Sequence, residues 1–266
     1  MHKAYAETRF GQIHYAESGA GEPVLFLHQT PRSWDEYRDV LPILAPKYRA
    51  IAMDTLGFGA SSGYDCIWSI ELFADAVEGF LADMKIESVS LVGHHTGGVI
   101  AMEVAARNPS LVKNLVLSGV PYVDEDRRKY VAGRPPIDGV EPKADGSHLL
   151  DLWNRRTDFY PMDRPDLITR LVQDAVRVID RVEEGHVAVN SCLMEERIGR
   201  VQARTMIVCG ELDSFSLPDV PKLQNRIAGS VTEILPNTGV SSVDHSPEQF
   251  ARAVIRFLDS DACHTP

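Results

Sequence analysis

The chain has 266 residues, 44 % of them hydrophobic, enough for one large α/β domain or for one domain with a sizeable insertion. Its formal net charge of -11 argues against a nucleic-acid-binding surface, because phosphate binding needs clustered lysine and arginine. The first residues lack the order of a signal peptide, and the longest apolar runs fall far short of the roughly 18 residues that span a membrane. We therefore expect a cytoplasmic protein that binds neither nucleic acid nor membrane.

The first predicted elements are the strands of a sheet. The segment GQIHYAES alternates like a strand of an antiparallel edge hairpin, and PVLFLH is a short continuous apolar run typical of a strand buried on both faces. Similar runs recur at YRAIAMD, SVSLVG, VKNLVLSG and RTMIVCG.

Between these runs lie amphipathic stretches, of which residues 69–84 are the clearest. Six apolar residues there share one helical face: Leu72, Phe73, Val77, Phe80, Leu81 and Met84. Strands that alternate with helices predict an α/β fold with a mostly parallel, doubly wound sheet.

The alternation breaks between residues 121 and 200. The segment RPPIDGVEPKADGS is rich in proline and glycine and predicts a loop, whereas LLDLWNRR and PDLITRLVQDAVRVIDRV predict helices with no strand between them. We interpret residues 121–200 as a helical insertion over the sheet, with residues 1–120 and 201–266 forming the two parts of the core.

The four cysteines are widely spaced and include no CxxC pair, so the sequence predicts neither a disulfide framework nor a zinc site. They are Cys66, Cys192, Cys209 and Cys263. Cys209 lies within TMIVCG and is expected to be a small buried hydrophobic residue.

Ligands of open parallel sheets bind beyond the carboxyl ends of the strands, so the segments that follow the apolar runs are the candidate site. They are HQTP after the third strand, DTLGFGAS after the fourth, GHHTGG after the fifth and GELDSF after the seventh. Their order and spacing resemble those of the α/β-hydrolase family over nearly the whole chain. The resemblance implies an α/β-hydrolase fold in which the helical insertion forms a cap.

The family's His-Gly-x-Pro motif corresponds to HQTP at residues 28–31. The resemblance implies that the backbone N–H of Thr30 forms half of an oxyanion hole and that His28 braces the loop through hydrogen bonds. Gln29 replaces the family's glycine, so the sequence does not determine the shape of the oxyanion hole.

The segment DTLGFGASS matches a family turn whose role is structural, which makes its two serines poor candidates for a nucleophile. A strained turn that carries the nucleophile, G-x-Nuc-x-G, corresponds to GHHTG at residues 93–97, with His95 in the nucleophile's place. The resemblance also implies that the Thr96 N–H, at the start of the next helix, is the second oxyanion donor.

The family's acid follows the seventh strand, where GELD places Asp213. Its histidine follows the eighth strand, here VTEILP, in a pattern similar to G-H-x-x-x-x-E-x-P. Because the histidine of that pattern lies seven positions before the proline, Pro247 places Val240 at the position of the histidine. His245 is then a candidate for a displaced base, or alternatively a solvent-side neighbour of the last helix. In that second interpretation Ser246, Pro247 and Gln249 occupy the N-cap, N1 and N3 positions.

A serine without a neighbouring base would be nearly inert, whereas a histidine with a pKa of about 6.5 is largely neutral at pH 7 and needs no activation. We therefore predict a His95–Asp213 dyad that acts on a small carbonyl compound, by ester, lactone, C–C or C–O cleavage, with no cofactor. The Thr30 and Thr96 amides would bind the developing oxyanion. A protein that binds a small molecule without reacting with it, as receptors of this superfamily do, is the alternative.

A metal site at His28, His94 and His95 is disfavoured, because adjacent side chains at a tight turn are expected to point apart and no carboxylate has ligand spacing. His94 is instead expected to turn into the core or the surrounding loop.

Cap residues would determine substrate specificity, but the sequence does not identify the substrate. The sequence also does not determine whether the protein forms a homodimer. An aromatic and basic cluster there either receives a carboxylate or an aromatic ring, or simply packs with its arginines solvated. The cluster comprises Trp153, Arg155, Arg156, Phe159 and Tyr160. Trp34 is expected to line the pocket from the other side.

Overall fold

The computed structural model describes residues 1–260, so Cys263 lies outside the described residues. The sheet has eight strands: β1 His2–Thr8, β2 Gly11–Ser18, β3 Glu22–Leu27, β4 Tyr48–Met53, β5 Val89–His94, β6 Val112–Ser118, β7 Arg204–Gly210 and β8 Val231–Leu235. Their order in the sheet is β1-β2-β4-β3-β5-β6-β7-β8. The predicted sheet is confirmed.

Strand directions follow the hydrophobic pattern of the sequence. The hairpin β1–β2 and the β2–β4 pair are antiparallel, whereas all other neighbours are parallel. Every residue of β5 is buried, as a strand covered by helices on both faces requires. The carboxyl ends of β3, β5 and β7 therefore meet at one edge of the sheet.

Helices cover both faces of the sheet. They are α1 Leu41–Leu44, α2 Ile70–Asp83, α3 Thr96–Arg107, α4 Glu125–Val131, α5 Ser147–Asn154, α6 Pro165–Arg177, α7 Glu184–Ser191, α8 Met194–Arg197, α9 Val220–Arg226, α10 Ser242–His245 and α11 Pro247–Asp259. Short 3-10 helices span Trp34–Tyr37, Ile179–Arg181, Ile198–Arg200 and Leu217–Asp219. None of the helices within residues 1–260 is long and apolar enough to cross a membrane.

Helix α2 begins where the sequence predicts a helix start. The Ser69 hydroxyl accepts a hydrogen bond from the Leu72 N–H, which satisfies one of the free amides of the first turn. Phe73, Val77 and Phe80 are fully buried, so the predicted apolar face is the buried face.

Helices α4 to α8 lie between β6 and β7, where the sequence predicts an insertion. The predicted helices correspond to α5 and α6, and the predicted loop at residues 134–147 forms no helix or strand before Ser147. The short helices α4, α7 and α8 were not predicted from the periodicity. The insertion boundaries at residues 121 and 200 stay a prediction.

Candidate active site

The turn between β5 and α3 holds His95 in a strained backbone conformation, with φ 46° and ψ -111°. Two glycines make the turn sterically feasible. A β-carbon on Gly97 would lie 1.9 Å from the Leu27 carbonyl oxygen, and one on Gly93 would lie 2.2 Å from the Gly97 oxygen. Since neither position has room for a side chain, the pattern GHHTG fixes a turn that lifts His95 above the sheet.

His95 and Asp213 lie side by side, as predicted for the dyad. The distance between His95 Nε2 and Asp213 Oδ2 is 4.0 Å, which is longer than a hydrogen bond. Asp213 is buried, and its Oδ1 accepts hydrogen bonds of 3.0 Å from the N–H groups of Phe215 and Ser216. Those bonds orient the carboxylate and leave Oδ2 on the side of the histidine.

Gly119, just after β6, provides the space in which the ring and the carboxylate meet. Its φ is +55°, and a β-carbon at this position would lie 3.2 Å from His95 Nε2 and 3.3 Å from Asp213 Oδ2. The His95 ring therefore stands beside the acid, where the family resemblance would place the histidine that is missing at Val240.

The environment of His95 keeps its ring neutral. Burial, followed by the neighbouring His94, lowers the pKa of His95 to about 3, although Asp213 acts in the opposite direction. The expected value near 6.5 is therefore wrong, because the sequence pattern does not reveal how much solvent the site excludes.

His94 is turned into the core. Its Nε2 donates to the carbonyl of Val240 at 3.0 Å, so its Nδ1 is the acceptor toward the Ser118 hydroxyl at 2.9 Å. Burial lowers the pKa of His94 to about 4. The His94 and His95 rings pack edge to face with their centres 4.3 Å apart, so the expectation that the two side chains point apart is wrong.

The predicted oxyanion donors lie next to each other, but the first donor is already engaged. The Thr30 N–H donates to the Thr96 hydroxyl at 3.3 Å, and that hydroxyl donates to the Thr30 hydroxyl at 3.0 Å. The Thr96 side chain thus occupies the position that a substrate oxygen would take at Thr30.

His28 and Gln29 hold the HQTP loop in place through hydrogen bonds. His28 Nε2 accepts the Thr55 N–H at 2.9 Å, so its Nδ1 donates to the Gln29 carbonyl at 2.8 Å. The Gln29 side chain and backbone N–H both donate to the buried carboxylate of Glu36, at 2.6 Å and 2.9 Å. The unusual glutamine therefore anchors the loop to the 3-10 helix that contains Glu36.

A buried charge network, which the sequence analysis missed, joins the cap to the core. Arg32 is fully buried; its Nε donates to Asp174 on α6 at 3.0 Å, and its Nη1 donates to Asp244 on α10. Arg170, also on α6, donates through Nε to Asp35 at 2.7 Å. The partners in each of these pairs are more than 130 positions apart in sequence, so no local sequence pattern predicts the pairs.

The two arginines of the predicted cap cluster differ. Arg156 is buried and bonded to Asp138, whose carboxylate also contacts His186 Nε2 at 2.7 Å. Although burial opposes ionisation, Arg156 and His186 hold the pKa of Asp138 well below its usual range. Arg155 is exposed and donates to the carbonyls of Pro136 and Ile137. The expectation of solvated arginines is therefore wrong for Arg156.

The aromatic members of the cap cluster separate into two places. Phe159 packs edge to face on Phe215, close to Asp213, with ring centres 5.3 Å apart. Tyr160 is buried and has a hydroxyl with no partner among the described residues. Trp153 and Trp34 are half-buried and line a separate groove, so neither is among the residues around His95.

His245 ends helix α10 and is half-buried. Its backbone N–H donates to the Ser241 carbonyl at 2.8 Å, whereas its side chain forms neither a hydrogen bond nor an ion pair with a residue of the described range. Its role as a displaced base stays a prediction. Helix α11 begins at Pro247 as predicted, but the Ser246 side chain forms no capping bond. The Gln249 side chain instead donates to the Pro236 carbonyl at 3.4 Å.

Within the described part of the chain, no group of three or more histidine, cysteine, aspartate or glutamate side chains could hold a metal ion. Cys209 is buried as predicted, and burial raises the pKa of its thiol to about 12.

Comparison with known proteins identifies the family. The model of the alpha/beta hydrolase fold matches residues 22–223, so the chain belongs to this family. Two relatives match along nearly their whole length. The 2-hydroxy-6-oxo-6-(2'-aminophenyl)hexa-2,4-dienoic acid hydrolase of Metapseudomonas resinovorans is 28 % identical, covering 94 % of this chain and 89 % of that protein.

The second relative is the 2-hydroxy-6-oxononadienedioate/2-hydroxy-6-oxononatrienedioate hydrolase of Paraburkholderia xenovorans, at 30 % identity over 93 % of this chain and 90 % of that protein. Among solved structures, the enol-lactonase from Burkholderia xenovorans superimposes with a TM-score of 0.79 and 16 % identity, covering 96 % of this chain and all of the other. That structural likeness supports the fold alone.

Proposed function

We propose that this protein is an enzyme that cleaves a small carbonyl compound, with His95 as its base or nucleophile. The observation that carries the proposal is the position of the His95 ring. It stands on the turn where the family places its nucleophile, and its Nε2 faces Asp213 Oδ2 at 4.0 Å. His95 therefore occupies the family nucleophile's position on the turn, and its ring also lies beside Asp213.

The geometry favours Nδ1 as the reacting atom. Since Nε2 faces the carboxylate, we assign the proton of the neutral ring to Nε2, where Asp213 can accept it after a small approach. Nδ1 then carries the lone pair, and it forms no hydrogen bond with another residue of the described chain. The side chain of His95 is 17 % exposed, which gives a substrate access to it.

In hydrolysis by general-base catalysis, Nδ1 removes a proton from water as the water oxygen adds to the carbonyl carbon. The Thr30 and Thr96 amides stabilise the resulting oxyanion once the Thr96 hydroxyl has rotated away from Thr30. Asp213 stabilises the imidazolium. When the intermediate collapses, the leaving group receives the proton from Nδ1, which restores the neutral ring.

Nucleophilic catalysis is the second role open to the same atom. Nδ1 would attack the carbonyl carbon and expel the leaving group as an anion, which gives an acyl-imidazolium. Water would then give a proton to the leaving group, and its hydroxide would break the bond between Nδ1 and the acyl carbon, which releases the acid and restores the neutral ring. A burst of leaving group equivalent to the enzyme concentration would indicate this route, whereas its absence is expected for a general base.

Two relatives are named as hydrolases of 2-hydroxy-6-oxo compounds, which supports a substrate with a reactive carbonyl group. We therefore place such compounds beside activated esters, lactones and β-dicarbonyl compounds in the proposed substrate range.

A ligand-binding protein without catalysis is the second candidate. The observation that favours it is the engaged oxyanion donor, because the Thr96 hydroxyl already accepts the Thr30 N–H. A ligand that raises the melting temperature but yields no product would support this candidate.

The test compares the wild type with His95→Ala and His95→Ser on this substrate panel. We expect kcat/KM to fall by about 100-fold or more in both variants, because a positioned general base contributes at least this much. His2→Ala is the matched control, since the side chain of His2 is 68 % exposed. Unchanged turnover in His95→Ala would contradict the proposal, and a loss confined to His245→Ala would identify a displaced base instead.

A further inference from the structure

A groove of about 1130 Å³ opens on the outside of the molecule, between the amino-terminal strands and the cap helices α5 and α6. None of the residues that line it belongs to the proposed catalytic site around His95, Asp213, Thr30 and Thr96. The groove therefore calls for an explanation separate from the proposed reaction.

Two of the three tryptophans of the chain line this groove. Trp34 belongs to the 3-10 helix after β3, and Trp153 belongs to α5. Both are half-buried, whereas the third, Trp68, is buried in the core. Tryptophans on both sides of one groove offer large flat apolar surfaces that suit a planar ring.

Two cations of the groove have no acidic partner among the first 260 residues, whereas its three carboxylates are engaged. Asp54 is hydrogen-bonded to His14, Asp174 is paired with Arg32, and Asp35 is paired with Arg170. Lys3 and Arg177 line the groove without an ion pair to any described residue. The ammonium of Lys3 lies 4.0 Å from the centre of the Trp34 ring, which places a cation beside an aromatic surface.

A buried histidine provides a polar group in the same groove. His14 is 7 % exposed, and its Nδ1 lies 2.9 Å from Asp54 Oδ2. Asp54 also accepts the N–H groups of Trp34 and Ala60, so the ring is held in a fixed orientation. Because Nδ1 donates to the Asp54 carboxylate, Nε2 is the acceptor of the neutral ring, and it has no hydrogen-bond partner among residues 1–260.

We propose that this groove binds a planar aromatic carboxylate at a site distinct from the catalytic one. The ring would lie against Trp34 and Trp153, with the carboxylate in the field of Lys3 and Arg177. His14 Nε2, an acceptor, would instead accept from a donor substituent on the ring. Aromatic surface and unpaired cations together match this ligand class in shape and in charge.

The experiment is isothermal titration calorimetry with naphthalene-2-carboxylate and with its uncharged amide as the matched ligand. The test variant is Lys3→Glu/Arg177→Glu, and the control variant is Lys129→Glu/Arg252→Glu, whose original side chains are 68 % and 71 % exposed and lie outside the groove. Both double variants lower the net charge of the protein by the same amount. A difference in affinity between them therefore reports the charge inside the groove and not the overall charge of the protein.

We expect the wild type and the control double to bind the carboxylate equally, and the test double to bind it at least about tenfold more weakly. The amide should also bind more weakly than the carboxylate. Trp153→Leu should weaken both ligands, while His95→Ala should leave binding unchanged because His95 is not part of the groove. Equal affinity of the test and control doubles, or loss of binding in His95→Ala, would overturn the proposal.

Discussion

Two regions of this protein are held in place by different means. The turn that carries His95 depends on backbone geometry, because β5 and α3 approach so closely that only glycine fits at Gly93 and Gly97. The cap instead depends on buried charges, with Arg32 joining Asp174 of α6 and Asp244 of α10. The proposed catalytic group is thus fixed locally, whereas the element expected to select the substrate is fixed through distant partners.

The contrast indicates which region tolerates change. A glycine turn has no alternative arrangement, because every added atom meets backbone. A buried ion-pair network has several partners for each charge, and replacing it with apolar residues of similar volume can preserve stability. We therefore expect the turn to be the more rigid requirement and the charge network to be the more replaceable one.

The largest effect should come from breaking the network on one side only. Arg32→Met would leave Asp174 and Asp244 buried without their main cation, and we expect the free energy of unfolding to fall by about 3–5 kcal/mol. Chemical denaturation measures this change. The double variant Arg32→Met/Asp174→Asn should lose less than the sum of the single variants, and strict additivity would contradict the role of the pair.

The next effect tests the glycine turn. Gly97→Ala would place a methyl group against the Leu27 carbonyl, and we expect a loss of about 3 kcal/mol in stability together with lost activity. Gly199→Ala is the matched control, because nothing lies within 4 Å of an added β-carbon there. A stable and active Gly97→Ala protein would show that the turn is less constrained than its geometry implies.

A smaller effect concerns pH. Because the pKa of His94 is about 4 in the folded protein and about 6.5 when unfolded, the unfolded state binds more protons between these values. Stability should therefore fall as pH decreases through this window, by at most about 1.4 kcal/mol per pH unit from His94.

Denaturation of His94→Gln at several pH values measures that contribution. The variant should show a shallower pH dependence than the wild type, whereas His2→Gln, in which an exposed histidine is replaced, should not. An unaltered slope in His94→Gln would mean that His94 titrates normally in the folded protein.

The smallest effect concerns the oxyanion hole. Thr96→Ala removes the hydroxyl that accepts the Thr30 N–H through a long bond of 3.3 Å. We expect kcat/KM to rise about threefold, because freeing a weakly bonded donor is worth less than one typical hydrogen bond. A fall of about tenfold or more in steady-state kinetics would instead assign the hydroxyl a direct role in binding the substrate.

Much of the turn region could be predicted because its constraints lie within a few residues. The pattern GHHTG places His95 on the turn, and the segment after β7 brings Asp213 within 4.0 Å of its ring. The sequence predicted a neutral His95 but not its lowered pKa, since that pKa depends on burial by the whole surrounding structure.

Little of the cap interface could be predicted. Arg32 directly follows the HQTP segment, yet its partners lie 142 and 212 positions away. Trp34 and Trp153 were expected to line a pocket and do line one, but it is the outer groove. Local patterns identify which side chains can face a cavity, whereas long-range packing determines which cavity they face.

The most direct test of the account is heteronuclear NMR of the imidazole nitrogens of His95, assigned by comparison with His95→Ala, from about pH 5 to about pH 8. We expect the neutral ring to carry its proton on Nε2, toward Asp213, and to have a free Nδ1. A neutral ring with its proton on Nδ1 would contradict the His95–Asp213 dyad as described.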